Sequence, residues 1–197
     1  MNAKATQILE GARDAFLEHG FDGASMGEIT RRAGVSKGTI YAHFKDKTDL
    51  FLAVVRHETT RFSDRVFESD RVDGTLRDAL LRVGQHFLHR VVDKHSCRIF
   101  RLCIAESERV PQVGMAFWDH GLSHGAGIVA RMLAVGRDRG EVDIEDLERA
   151  AHQFFELTKA GVFYRVLLDP NFEMSSSDVD RTVERAVDDF LRMYRTP

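Results

Sequence analysis

Proline, cysteine, tyrosine and tryptophan are scarce in this chain. Three Pro, one Trp and three Tyr among 197 residues, beside fourteen Phe, leave little to break helices or favour sheets, and helices are expected throughout. The two cysteines, Cys97 and Cys103, form neither a CxxC nor a metal-ligand spacing, which excludes a disulfide scaffold and a cysteine-based zinc site. No apolar run reaches the roughly 18 residues of a membrane-spanning helix. No basic start leads into an apolar stretch of roughly 7–15 residues, so a cytoplasmic protein without membrane attachment is expected. P-loop, GxGxxG, GxSxG and paired-carboxylate patterns are also missing, which leaves no enzyme class with a signature here. A formal net charge of −3 excludes a protein that coats nucleic acid over its whole surface, but it leaves room for a local basic face. The rest is ordinary globular composition, 43% hydrophobic and 30% charged. The length suits one domain, or a small domain joined to a medium one.

Apolar periodicity divides the chain into helices. Ile8, Leu9, Ala12, Ala15 and Phe16 share one face between Ala3 and His19, with Gly20 as a C-terminal stop. Ser25 and Glu28 have capping-box spacing at the start of a short helix that ends at Gly34. Ser36 caps another almost at once. Two short helices joined through Gly34, Val35 and Ser36 have the spacing of a helix-turn-helix. Asp46 and Asp49 are placed to cap a fourth helix, whose Leu50, Phe51, Val54 and Val55 face the first three. Longer helices follow a boundary near Asp70. Leu76, Leu80, Val83, Phe87 and Val91 mark one; a second, apolar nearly all round from Cys97 to Ile104, is expected to be central. A third opens at Pro111 and is kinked or broken around Gly121, Gly125 and Gly127. Helices over 145–168 and 178–195 close the chain, the latter opened by Ser177 or Asp178.

Charge is concentrated in one place. Between Ile29 and Lys47, Arg31, Arg32, Lys37, Lys45 and Lys47 stand against Asp46 alone, a local net of +4 in an acidic chain. Phosphates attract such a patch through counterion release, and backbone N–H groups at a helix start add to the attraction. Within Ser36–Phe44, Ile40 and Phe44 share the i, i+4 face that must be buried. The opposite face then carries Lys37, Gly38, Thr39, Tyr41 and His43, small or polar groups suited to a major groove.

The run Phe16…Gly20…Ser25-Met26…Ile29…Ala33-Gly34-Val35-Ser36-Lys37-Gly38-Thr39-Ile40-Tyr41-Ala42-His43-Phe44-Lys45-Asp46-Lys47…Leu50-Phe51 resembles the TetR family of one-component transcriptional regulators, over about residues 5–55. The resemblance implies a recognition helix that contacts DNA through Ser36, Lys37, Gly38, Thr39, Tyr41 and His43. It also implies phosphate contacts from Ser25, Met26 and Lys47. Ile29-Thr30 departs from the Ile-Ala common there, and Ala42 is smaller than usual; both departures bear on operator sequence. Further on, Ile104-Ala105-Glu106-Ser107-Glu108-Arg109 with Pro111 and Phe117 resembles the AefR-like subgroup of C-terminal domains. An all-α protein is therefore expected, with a three-helix helix-turn-helix DNA-binding domain over 1–50 and a helical ligand-binding and dimerisation domain over 51–197.

The expected function is a ligand-responsive regulator, most simply a repressor, bound to a palindromic operator in double-stranded DNA. The final two helices carry apolar stripes, Leu147, Ala151, Phe154, Phe155 and Val162 on one and Val179, Val183, Val187, Phe190 and Tyr194 on the other, which could pair in a homodimer. Phe87, Phe100, Cys103, Phe117, Trp118, His120, His124, Phe155, Phe163 and Tyr164 are the candidate lining for a small apolar or weakly polar effector. The same residues could also be plain core. An alternative is a regulator of this fold that senses oxidation through Cys97 and Cys103, or a metal through His120 and His124, which lie four apart with no third ligand in view. No metal and no cofactor are expected.

Overall fold

The computed structural model describes residues 3–67 and 74–196. Eleven α-helices are seen among them: α1 (Ala3–Gly23), α2 (Met26–Arg32), α3 (Lys37–His43), α4 (Lys47–Phe67), α5 (Leu76–Val92), α6 (Lys94–Ser107), α7 (Pro111–Phe117), α8 (His124–Asp138), α9 (Leu147–Lys159), α10 (Phe163–Leu168) and α11 (Ser176–Met193), with a π-helical turn over Trp118–Ser123. The fold is all-α, and no described helix is long and apolar enough to cross a membrane. The boundary expected near Asp70 lies outside the described residues.

Two compact units emerge, 1–61 with 98–121 and 62–97 with 122–197. They do not follow the contiguous division at residue 50, because Ile99, Cys103, Val113 and Ala116 join the apolar cluster of Ile8, Phe16, Ile40 and Phe51. In the first unit the expected faces of α1 and α4 are buried, including Leu50, Phe51, Val54 and Val55. Phe16, Phe21 and Phe51 pack with ring centroids 4.8–5.9 Å apart. α1 leaves helical geometry at Gly20 (φ 69, ψ 179) and continues for a short turn. α6 is less central than its composition suggests: Cys97, Ile99 and Cys103 are buried, whereas Phe100 and Leu102 are half-buried and Ile104 is exposed. An apolar count without a helical period misjudges such a helix.

In the second unit α11 packs on α5 and α9, and α8 on α9 and α5. This arrangement corrects one expectation: Ala151, Phe154, Val162, Val179, Val183, Val187 and Phe190 are buried in the protomer's own core. The stripes proposed as a subunit interface are needed at home, by α5 and α8. The single helix expected over 145–168 is two, because Gly161 at φ 74 breaks it into α9 and α10; the left-handed region suits glycine and interrupts a right-handed helix. α11 starts earlier than expected, with Ser175 as its cap accepting from the Asp178 N–H.

Gly11 sets the approach of α1 to α2. A Cβ there would lie 2.8 Å from the Ala33 nitrogen and 2.9 Å from its Cα. Gly11→Ala is therefore expected to destabilise the protein by about 1–3 kcal/mol through overpacking, read as a lower urea midpoint. Ala33→Gly should not restore it, since the collision is with backbone.

Candidate nucleic-acid interface and effector site

The outward face of α3 follows from how its ends are tied. Ser36 is extended, and its Oγ accepts from the Thr39 N–H at 3.1 Å and shares a hydrogen bond with Thr39 Oγ1 at 2.8 Å. Phe44 ends the helix in extended conformation, donating its N–H to the Ile40 carbonyl at 2.9 Å. Burial of Ile40 and Phe44 fixes the rotation of the helix. Lys37, Gly38, Tyr41 and His43 are thereby exposed, Tyr41 by 46%, and Thr39 is half-buried. Between α2 and α3, Gly34 at φ 59 makes the reversal, a conformation other residues adopt at a cost.

α2 supplies the flank. Ser25 is exposed and caps it, accepting from the Glu28 N–H at 3.1 Å. Met26 is half-buried against the apolar cluster, and the Thr30 hydroxyl donates to its carbonyl at 2.6 Å. The capping box is only half made, because the Glu28 carboxylate is taken by Arg31 at 2.8 and 3.0 Å and by Arg32 at 2.6 Å. Those hydrogen bonds, from Arg31 first and then Arg32, hold the Glu28 pKa down at about 2. Arg32 also reaches Glu18 at 2.7 Å. Two of the five cations counted between Ile29 and Lys47 are thus matched by carboxylates outside that window, Glu28 next to it and Glu18 on α1. The i, i+3 and i, i+4 spacing of Glu28 to Arg31 and Arg32 was the available signal. Lys47 is half-buried, its ammonium hydrogen-bonded to the Phe21, Asp22 and Ala24 carbonyls. Exposed Lys37 and Lys45 remain the positive groups of this surface.

The ten candidate effector residues divide between the two compact units. In the first, Phe100 and Phe117 pack at 5.2 Å, Cys103 is buried, and Trp118 and His120 are exposed. In the second, Phe87 lies 4.6 Å from Phe155, and a Cβ on Gly125 would meet the Phe155 ring in ordinary contact at 3.7 Å. His124 is exposed, Phe163 is half-buried with the Lys159 ammonium 4.4 Å from its ring centre, and Tyr164 is 77% exposed. The break expected at the glycines takes the form of the π-helical turn, which contains Gly121 and ends just before Gly125. A surface groove lined by Phe172, Met174, Arg181 and Arg185 contains none of the ten.

Burial bears on the sensing alternative. It pushes the Cys103 thiol up to about 12, so no nucleophilic thiolate is available there at neutral pH. The Cys97 thiol donates to the Val91 carbonyl at 3.0 Å. Among the described residues no three of His, Cys, Asp and Glu gather as a metal site.

Two family models match the chain. "Bacterial regulatory proteins, tetR family" covers residues 8–54, and "AefR-like transcriptional repressor, C-terminal domain" covers 78–196. The HTH-type transcriptional repressor AcnR of Corynebacterium glutamicum is 32% identical over 181 residues, 88% of this chain and 87% of its own. A Mesorhizobium loti structure described as a TetR-family transcriptional regulator superposes with a TM-score of 0.90 at 26% identity, covering 98% of this chain and 97% of that one. The flavonoid-responsive regulator FrrA superposes with a TM-score of 0.83, also at 26% identity and with the same coverage.

The Glu28 pairing gives an acid-sensitive contribution to stability. Its folded pKa of about 2 lies below the ordinary 4.5, so the contribution is complete above pH 4.5 and fades as pH falls toward 2. Between pH 5 and pH 3 the urea midpoint of Glu28→Gln is expected to fall less than that of the unaltered protein. Equal falls would show that the carboxylate is not linked to folding.

Proposed function

This chain is a member of the TetR family of transcriptional regulators, and from that premise we propose that it is a ligand-responsive repressor which binds a palindromic operator as a homodimer. The observation that carries the DNA-binding part is the outward face of α3, where Lys37, Gly38, Tyr41 and His43 stand opposite buried Ile40 and Phe44. Lys37 serves phosphates, Gly38 allows close approach, and Tyr41, His43 and Thr39 reach backbone or base edges. Ser25, Met26 and Ser36 flank that face, with Ser25 and Ser36 holding the two helix starts. Function divides between a DNA-binding region within residues 1–50 and effector binding and dimerisation within 51–197. In a two-fold dimer the two α3 helices address successive major grooves, roughly 34–36 Å apart.

Dimerisation is assigned to the outer surface of the last helices, since their inner stripes are occupied. Tyr164 and Leu168, one turn apart on α10, are 77% and 82% exposed, which is unusual for large apolar side chains unless a partner covers them. The effector is a small apolar or weakly polar molecule held against aromatic rings, with Phe87 and Phe155 as its leading contacts. FrrA, named for its response to flavonoids, supports an aromatic class of effector. Effector binding favours a dimer unsuited to the operator, and a coupling of about 1–3 kcal/mol corresponds to roughly 5–150-fold weaker DNA binding. α4 carries the change, because its chain runs from the first compact unit into the second.

Fluorescence anisotropy with the DNA upstream of the protein's own gene, at several salt concentrations and beside a scrambled duplex, tests this function. Tight saturable binding to the upstream duplex is expected, and equal weak binding to both, vanishing with salt, would contradict it. Tyr41→Ala should weaken operator binding with dimer and melting temperature unchanged. Leu168→Asp should shift sedimentation from dimer to monomer, and an unaffected dimer would remove α10 from the interface.

A further inference from the structure

The end of α1 is not placed by helical hydrogen bonding alone. The helix leaves helical geometry at Gly20 (φ 69, ψ 179), and only a short turn, Phe21 to Gly23, follows before Ala24 and the Ser25 cap of α2. Whatever holds that turn therefore sets where α2 begins. Phe21 is buried against Phe16 and Phe51, and the carbonyls of Phe21 and Asp22 receive the Lys47 ammonium. The exposed Asp22 side chain finds a partner far along the chain in Arg109, whose guanidinium is hydrogen-bonded to the carboxylate and lies 5.2 Å from the Phe21 ring centre. That hydrogen bond holds the Asp22 carboxyl below the ordinary carboxylate range.

Arg109 stands on the link between α6 and α7, and that link is itself fixed. The N–H groups of Arg109 and Val110 donate to the Glu106 carbonyl at 3.2 and 2.8 Å, and the half-buried Glu106 carboxylate accepts from the Arg109 guanidinium at 2.9 Å. Just beyond, Val113 and Ala116 enter the apolar cluster of Ile40 and Phe51. A second arginine repeats the contact one turn earlier in α1: Arg98 of α6 donates to the Leu17 carbonyl at 2.9 Å. Cations suit a helix end, where carbonyls lack intrahelical partners and the dipole is negative. Arg98 and Arg109 thus hold α1 on either side of the break at Gly20, and all of these residues belong to one compact unit.

We infer that Arg109 is a positioning residue for DNA recognition, acting through Asp22 and Phe21 on the start of α2. It lies well outside residues 8–54, the stretch matched by the tetR family model, yet it fixes the turn from which Ser25, Met26 and the two short helices follow. Without it Phe21 stays in the core but the turn loses its side-chain tie, and α2 and α3 take orientations that fit a major groove less well. Affinity for the operator then falls by the factor by which the binding-ready share of the protein falls. This inference rests on the assignment of α3 as the DNA-reading helix.

Arg109→Met keeps an apolar stem beside Phe21 and removes the charge, and Asp22→Ala removes the carboxylate partner. Both variants and their combination are compared with the unaltered protein on the duplex from upstream of its own gene, across a salt series. The sign of the Asp22→Ala effect is decisive. Removal of a carboxylate strengthens DNA binding where charge alone matters, whereas positioning requires that it weaken operator binding, by about twofold to fivefold for an exposed ion pair. Arg109→Met is expected to weaken it by about fivefold to tenfold, since the cation–π contact goes as well, with the slope of log K against log salt unchanged. The double variant should bind no more weakly than Arg109→Met, because the two side chains act as one. Unchanged or tighter binding by Asp22→Ala overturns the proposal, and so does a slope lowered by about one in Arg109→Met, the mark of a lost phosphate ligand. Hydrogen exchange of the free proteins gives a reading independent of DNA: the amides of residues 21–28 should exchange faster in both variants, and unchanged exchange there also overturns the proposal. If the unaltered protein does not distinguish the upstream duplex from a scrambled one, the assignment of α3 fails instead, and the exchange result still shows whether Arg109 holds the start of α2. Should Arg109→Met not fold, Asp22→Ala, at an exposed position, carries the test.

Discussion

A helix of seven residues is too short to hold itself together in water, so α3 exists only because Ile40 and Phe44 enter a core built by other elements. The rest of the exposed surface of α3 inherits that constraint. Once the two side chains are buried, rotation about the helix axis is settled, and the remaining positions are outward whatever their identity. Lys37, Gly38, Tyr41 and His43 can therefore vary without disturbing the fold. Caps do the rest: Ser25, Ser36 and Asp46 each accept from a backbone N–H three residues on, so that three helix starts within about twenty residues are closed by side chains of the chain itself.

Electrostatics at this surface are more restrained than the residue count suggests. Arg31 and Arg32 are held by Glu28 and Glu18, and Lys47 by backbone carbonyls. These cations shape the scaffold, and the surface keeps a modest positive charge at Lys37 and Lys45.

What was legible in the sequence was local. Caps at Ser25, Ser36 and Asp46, the turn at Gly34 and the apolar face of α4 are decided by neighbours within one helical turn, and each stands as the residues imply. Partnership over distance was not legible. Composition places α6 in the centre, yet only Cys97, Ile99 and Cys103 are buried and Ile104 is exposed. Gly161 reads as helix in sequence because an isolated glycine is tolerated in one unless its φ turns positive, as it does here, which no local pattern reveals. Aromatic character alone does not distinguish Phe87 and Phe155 in mutual contact from Tyr164 in solvent.

The two closing helices show why an apolar stripe is weak grounds for a subunit interface. A helix buries its most continuous apolar face first against its own chain, since that contact is made without the entropy cost of association. In α11 that face is taken by α5 and α9, and Val179, Val183, Val187 and Phe190 are gone from the surface. An interface between two copies would have to be made of residues the protomer fold does not require. Such residues stand out not by periodicity but by exposure despite being apolar, as Tyr164 and Leu168 do on α10. The break at Gly161 has a consequence here: α10 is a separate short helix that buries Val166 and turns Tyr164 and Leu168 outward. An unbroken helix would have had to reconcile that outward pair with the inward register of Phe154 and Thr158.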